Sequence, residues 1–257
     1  MHPWSLTDGL ASGPAAGLLT GALVTLAAGG CAYAGMAPGS QIFGRCLVAP
    51  RSPRQIALTY DDGPNDPYTL RLLDLLAEEN IHASFFLIGR FVRQRPDLVR
   101  AIAAAGHQIG NHSMTHPVLL LHAPKRVHAE LQGCNAALED ALGRPVRWFR
   151  PPHGARRPDV LRIAAELGLT PVLWNAMGYD WRRTTAQAVE AHVWRGFARN
   201  QRRGRASNIL LHDGGQAGIG QDRGHTIAAT RSLIARWKRD FAGRGEECSF
   251  VTPMAWV

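Results

Sequence analysis

The chain has no charged residue between Asp8 and Arg45, and only two lysines, Lys125 and Lys238, among its 257 residues. It has four cysteines (Cys31, Cys46, Cys134, Cys248), none spaced as CxxC. That count excludes a disulfide-dense scaffold and a cysteine-based metal site. Charged residues are 19% of the chain, too few for a disordered polyelectrolyte. No Lys or Arg precedes the apolar N-terminal stretch, so a secretory signal would lack its basic region. Internal repeats and long linkers are also missing, and 257 residues suffice for one domain with a real core.

What is present divides at about residue 50. Residues 1–50 form a lead-in, and Ala15 to Met36 is drawn mainly from Ala, Gly, Leu, Val and Thr. An uncharged run of that length can span a bilayer, which takes about 20 residues as a helix. Ala28-Gly29-Gly30-Cys31 loosely resembles a lipoprotein cleavage site without its usual Leu, and a poorly ordered Gly/Ala-rich lead-in is the plain alternative. The expectation is a membrane segment over 15–36 and membrane or cell-envelope association. All 29 basic residues follow this run, so the positive-inside rule would leave the domain cytoplasmic. Long domains translocate despite their charge, however.

Residues 51–257 read as one domain. Apolar or β-branched runs at Gln55–Tyr60, Ala83–Ile88, His107–Gly110, Val146–Phe149, Thr170–Trp174, Asn208–Leu211 and Ser249–Val251 predict strands. Helical patterns at Pro67–Glu79, Pro96–Ala105, Pro124–Leu142, Pro158–Leu167, Thr185–Arg203 and Thr226–Phe241 lie between them. Several carry Pro in the first turn and Gly just past the end, as helix caps do. Strands alternating with helices imply an α/β fold with parallel strands, either a barrel or a doubly wound sheet.

Polar clusters sit at the strand exits, where such folds collect their chemistry. Strand one ends in Tyr60-Asp61-Asp62-Gly63-Pro64, two carboxylates that repel unless a cation or arginine compensates. Strand three runs into His112-Ser113-Met114-Thr115-His116. Histidines at i and i+4 share one face of a helical turn and suit one metal. Two His and one Asp leave coordination positions open, the arrangement of a catalytic metal. Arg150-Pro151-Pro152-His153-Gly154 follows strand four, although a rigid turn is the commoner meaning of a double proline. Asp180-Trp181 and Leu210-Leu211-His212-Asp213 complete the set. His212, at the exit of an apolar strand, has the chemistry of a general acid or of a hydrogen-bonded core histidine.

In order and spacing these five motifs resemble those of NodB-type polysaccharide deacetylases, carbohydrate esterase family four, over residues 54 to 255. The resemblance implies a distorted (β/α)7 barrel and a hydrolase that removes N-acetyl groups from amino sugars in polysaccharide, peptidoglycan or a glycolipid precursor. It further implies one divalent metal, zinc first, with cobalt, nickel or manganese as alternatives. Asp62, His112 and His116 would be its ligands. Asp61 would be the general base, held by Arg150, and His212 the general acid, oriented by Asp180. Tyr60, Pro152, His153, Trp181 and Leu210 would contact substrate, with Trp181 and Leu210 lining the acetyl pocket. The likeness to envelope deacetylases places the domain outside the cytoplasm, against the charge rule. Three positions depart from the pattern: Tyr60 where Phe is also common, His153 where Tyr is usual, and Met177 in place of an Asp three residues before Asp180. The last departure leaves Asp180 to set the His212 environment alone.

Other readings stay open at this level. A small-molecule amidohydrolase of the ureide or cyclic-imide type would use the same barrel. A non-catalytic carbohydrate-binding relative would not require both Asp61 and His212. Arg195, Arg199, Arg202, Arg203 and Arg205 raise nucleic-acid binding, but with little aromatic interleaving a solvated helix face is the simpler reading, and no nucleic-acid partner is expected.

Overall fold

A computed structural model describes residues 29–257. Eight parallel strands form one curled sheet: β1 (Gln55–Asp61), β2 (Ser84–Leu87), β3 (Gln108–Asn111), β4 (Trp148–Phe149), β5 (Thr170–Pro171), β6 (Ala176–Met177), β7 (Ser207–His212) and β8 (Ser249–Phe250). The spatial order is β5-β4-β3-β2-β1-β7-β6, with β8 paired to the start of β1. Helices α1 (Tyr68–Glu78), α2 (Gly89–Gln94), α3 (Pro96–Ala104), α4 (Pro124–Leu142), α5 (Pro158–Glu166), α6 (Ala186–Arg202) and α7 (Gly224–Ala242) cover its outer face. This is the distorted (β/α)7 barrel expected from the sequence. Two elements were not foreseen, α2 and the two-residue β6.

Strand alternation separates the two faces. On β1, Ile56, Leu58 and Tyr60 join the core under the helices, together with Ile209 and Leu211 of β7 and Trp237 and Phe241 of α7. Full burial of side chains this large stabilises by about 1.5–3 kcal/mol each. The intervening residues face the barrel interior: Thr59 and Asp61 on β1 meet Arg150, while Leu210 packs with Val48, Leu173 and Trp174. With both faces buried, β1 has no solvent side.

The barrel's open seam lies between β5 and β6, and the lead-in enters it. The backbone N–H of Leu47 donates to Pro171 O at 2.9 Å, and Leu47 O accepts from Leu173 N at 2.8 Å. The Asn208 side chain then bridges Val48 O (3.1 Å) and Leu173 O (2.7 Å), tying the inserted segment to β7. Backbone bonds therefore cross the boundary drawn at residue 50. Further upstream, the fully buried Arg156 guanidinium has no carboxylate partner among the described residues. It is satisfied by carbonyls, donating to Ala37 O and Ser40 O at 2.8 Å and to Gly154 O at 2.9 Å.

The apolar run expected to span a membrane falls mostly on residues 1–28, outside the described residues; residues 29–36 are helical. No helix among the described residues is long and apolar enough to cross a membrane.

Candidate metal centre and its acid–base flanks

The site is built at the C-terminal ends of β1, β3, β4 and β7. Asp61 is the last residue of β1 and pairs in register with His212 on β7, so the two inward side chains are neighbours across one strand spacing. Asp62 then turns into the left-handed region (φ 73°). That turn sends its carboxylate to the same side as Asp61 instead of the opposite one. The swing is thus made at Asp62 itself, ahead of the Gly63-Pro64 turn.

His112 and His116 are brought together by a loop, and the helical turn expected from their i, i+4 spacing is not formed. Ser113 (φ 63°) and His116 (φ 61°) both adopt left-handed backbone, and the two ring centroids lie 4.9 Å apart. His153 shares this conformation (φ 59°). Four of the six described non-glycine residues with positive φ thus cluster at one site, where strain held by the surrounding fold commonly marks function.

Asp62, His112 and His116 are buried, and each offers a ligand atom within 4.8 Å of the other two. His112 Nδ1 donates to Arg150 O at 2.7 Å, and His116 Nδ1 donates to Gln216 Oε1 at 3.0 Å. These bonds fix the protons on Nδ1 and aim both Nε2 lone pairs at Asp62 Oδ1, at 3.4 Å and 3.1 Å. That oxygen is buried without a hydrogen-bond partner. Three electron-rich atoms facing one another fit a cation among them. Burial opposes the charged form of Asp62, but His112 and His116 outweigh it and hold its carboxyl well below the usual range. His116 is correspondingly raised: burial works against it, and Asp62 prevails.

On one side of this triad lies Asp61, its Oδ1 bound to Arg150 Nη1 at 2.8 Å and its Oδ2 3.6 Å from His112 Nε2. Arg150 is wholly buried, stacks over Phe86 at 4.1 Å, and also donates to Thr59 Oγ1 and Val172 O. Next to it, His212 is locked to Asp180. Burial pulls the imidazole down, yet Asp180 dominates and raises its pKa to about 9. Asp180 does not act alone, as the Met177 departure suggested. Its Oδ2 accepts from Thr226 Oγ1 at 2.8 Å, and its backbone carbonyl accepts from His225 Nε2 at 2.7 Å and Arg223 Nη1 at 3.3 Å.

Other expected substrate contacts divide between the site and the core. Pro152 and His153 form a short turn beside it, and the His153 ring sits 4.6 Å from that of His116. Burial first, then the neighbouring imidazoles, lower His153 to about 4. Trp181 is 42% exposed, with its ring 5.2 Å from His212. Leu210 faces the barrel interior beside Trp174. Tyr60 is not brought to the site. It is fully buried on the helix side, stacked on Phe85 at 5.4 Å and bonded to Thr230 Oγ1 at 3.1 Å.

Sequence reasoning missed Gln216 and Thr226, and it placed Asp213 in a motif without giving it a role. Asp213 N donates to Asp61 O at 3.2 Å, and burial followed by the Asp62 charge raises its carboxyl to about 7. A Cβ on Gly63 would fall 2.3 Å from Asp213 Oδ2, and one on Gly214 would fall 2.2 Å from Asp62 O, so glycine is required at both loops. Only the Gly214-Gly215 pair after Asp213 hinted at this close approach.

With this geometry in view, residues 49–172 match the family model described as polysaccharide deacetylase. The chain is 36% identical over 184 residues to a chitooligosaccharide deacetylase of a Bradyrhizobium strain, covering 71% of this chain and 80% of that protein. It is 33% identical over 192 residues to a peptidoglycan-N-acetylglucosamine deacetylase of Bacillus cereus, covering 74% and 84%. Its fold is similar to that of a family 4 carbohydrate esterase from Streptomyces lividans solved with acetate, at TM-score 0.63 and 30% identity over 78% of this chain and 94% of that one.

Proposed function

The chain belongs to the polysaccharide deacetylase family, and from that premise we propose that it is a metal-dependent N-deacetylase acting on N-acetylated amino sugars of a cell-envelope polysaccharide. The observation that carries this reading is the convergence of Asp62, His112 and His116 on one point beside the Asp61–Arg150 pair. A cation among those three residues would supply Lewis acidity, polarising an amide carbonyl and acidifying water.

The remaining steps fall to the chain's own groups. Arg150 occupies Asp61 Oδ1, leaving Oδ2 to accept the proton of the attacking water. As the new C–O bond forms and the amide C–N bond breaks, the departing nitrogen needs a proton, because an amine anion is a poor leaving group. His212 supplies it from Nε2, since Nδ1 is committed to Asp180. Acetate and a free amine result. Trp181, with its exposed ring over His212, and His153 form the rim on which the sugar would rest.

Acetate release from chitin oligomers, assayed beside ammonia release from ureides, tests the substrate class. Asp61→Asn and His112→Ala should each abolish acetate release; retained turnover in either variant, or turnover of ureides alone, would sink the proposal. For location, the similarity to peptidoglycan deacetylases supports a cell-envelope role. The finer reading is that the apolar residues 15–36 anchor the domain outside the cytoplasm, and protease protection on intact cells tests it.

A further inference from the structure

A cavity of about 1030 Å³ lies away from the metal triad, along the seam between the inserted lead-in segment and α6. Five arginines line it: Arg45, Arg195, Arg199, Arg203 and Arg205. No Asp or Glu does. None of the five forms an ion pair with a carboxylate of the described residues, so within the groove their charges are not neutralised by an acidic side chain. Two of the five are held in place by backbone carbonyls, Arg199 by Asn175 O at 2.8 Å and Arg205 by Ala49 O at 2.7 Å. His192, Arg195, Arg199 and Arg203 recur every three or four residues and so form one face of α6. That face reaches the seam because Gly196 lies against β6; a Cβ there would meet Ala176 Cβ at 2.6 Å. The stripe from His192 to Arg203 runs roughly 16 Å at 1.5 Å per residue.

We propose that this seam groove binds the phosphoryl groups of an anionic ligand. Planar guanidiniums are the side chains best matched to phosphate oxygens, and several in a concave site hold more than one charge. Burial first, then the guanidiniums of Arg195 and Arg182, lower the pKa of His192, whose Nδ1 accepts from Arg195 Nη2 at 2.8 Å. At its upper end the groove reaches Tyr179, which packs against Trp181 (5.3 Å), and Trp181 against His212. A ligand lying there would therefore border the catalytic rim. The site does not depend on the deacetylase reading, and its test does not use acetate release.

The test is calorimetric titration of the full chain with pyrophosphate at low ionic strength, alongside flotation with vesicles of phosphatidylglycerol or of phosphatidylcholine. The double variant Arg195→Gln/Arg203→Gln removes two groove charges whose side chains bond no carboxylate or backbone carbonyl. Arg100→Gln/Arg144→Gln makes the same change in net charge on exposed arginines outside the groove. The expected result is pyrophosphate binding that weakens at least tenfold in the groove variant and is unchanged in the other. Flotation with phosphatidylglycerol alone, displaced by pyrophosphate, would identify a lipid headgroup as the source. Pyrophosphate binding without flotation would identify a soluble phosphoryl ligand. Absence of both, or equal weakening in both variants, overturns the proposal.

Discussion

The Asp180 carboxylate grips His212 at two points, with Oδ1 2.9 Å from the ring Nδ1 and Oδ2 accepting the backbone N–H at 2.8 Å. One residue thus orients the imidazole, fixes its tautomer and sustains its charge. NMR of the metal-free protein should show His212 titrating near pH 9. In Asp180→Asn the strongest raising influence is lost and only the more distant charges of Asp62 and Asp61 are left to oppose burial, so the midpoint should fall well below 9. The alkaline limb of the rate profile should move down with it, and kcat should drop by about 10²–10⁴, the usual contribution of a general acid. The sign for stability follows. His212 is raised above its unfolded value, so its contribution is complete below about pH 6.5 and is lost as pH rises through about 9. An unmoved His212 titration in the variant would contradict this.

Asp61 and Arg150 form a buried pair, so the two single variants should differ in stability as well as activity. Arg150→Ala strands a buried carboxylate and should destabilise by about 3–5 kcal/mol, on the order of 10 °C in the melting temperature. Asp61→Asn keeps an oxygen toward the guanidinium, which also retains Thr59 and Val172 O, and should melt much closer to the parent. Both should be inactive. Thermal unfolding beside acetate release separates the two effects, and equal melting points would argue against the pair's role in stability.

What could be read from the sequence follows from how local each signal is. Asp61, Asp62, His112, Arg150 and His212 interrupt apolar runs at strand exits, and such breaks are visible without a structure. Nothing in the sequence signalled that the lead-in pairs with the barrel. Leu47 pairs with Val172, 125 residues away, and nothing near Leu47 announces that partner. β6 is two residues long, below any periodicity, and α2 begins two residues past β2 with no capping side chain. The His-x-x-x-His spacing suggested a helix because the left-handed turns at Ser113 and His116 have no glycine or asparagine to mark them. Gln216 and Thr226 act through loops whose path only the folded barrel sets.

Tyr60 tests the division of the strand faces. It shares a motif with Asp61 and Asp62 yet points into the helix-side core, where its hydroxyl meets Thr230. Tyr60→Phe should cost about 1 kcal/mol from the lost hydrogen bond, leaving KM and kcat unchanged. Calorimetric melting and steady-state kinetics check both halves. A raised KM with unaltered stability would instead place the hydroxyl in substrate binding.

Gln216 is the outer partner of a metal ligand, accepting from His116 Nδ1 at 3.0 Å on a loop that Arg90 also holds through the Gln216 carbonyl. Loss of such a partner typically weakens metal affinity 10–100-fold. Gln216 is exposed, so water can replace its amide oxygen, and Gln216→Ala should fall at the low end, roughly 10-fold. Gln216→Glu should tighten binding instead, because a carboxylate on Nδ1 raises the basicity of Nε2. Chelator competition measures both variants against the parent. His112→Ala removes a ligand outright and should exceed either effect, and the order of the three affinities is the expected result. If Gln216→Ala matched His112→Ala, the glutamine would have to be acting through the loop fold, which a parallel melting curve would reveal.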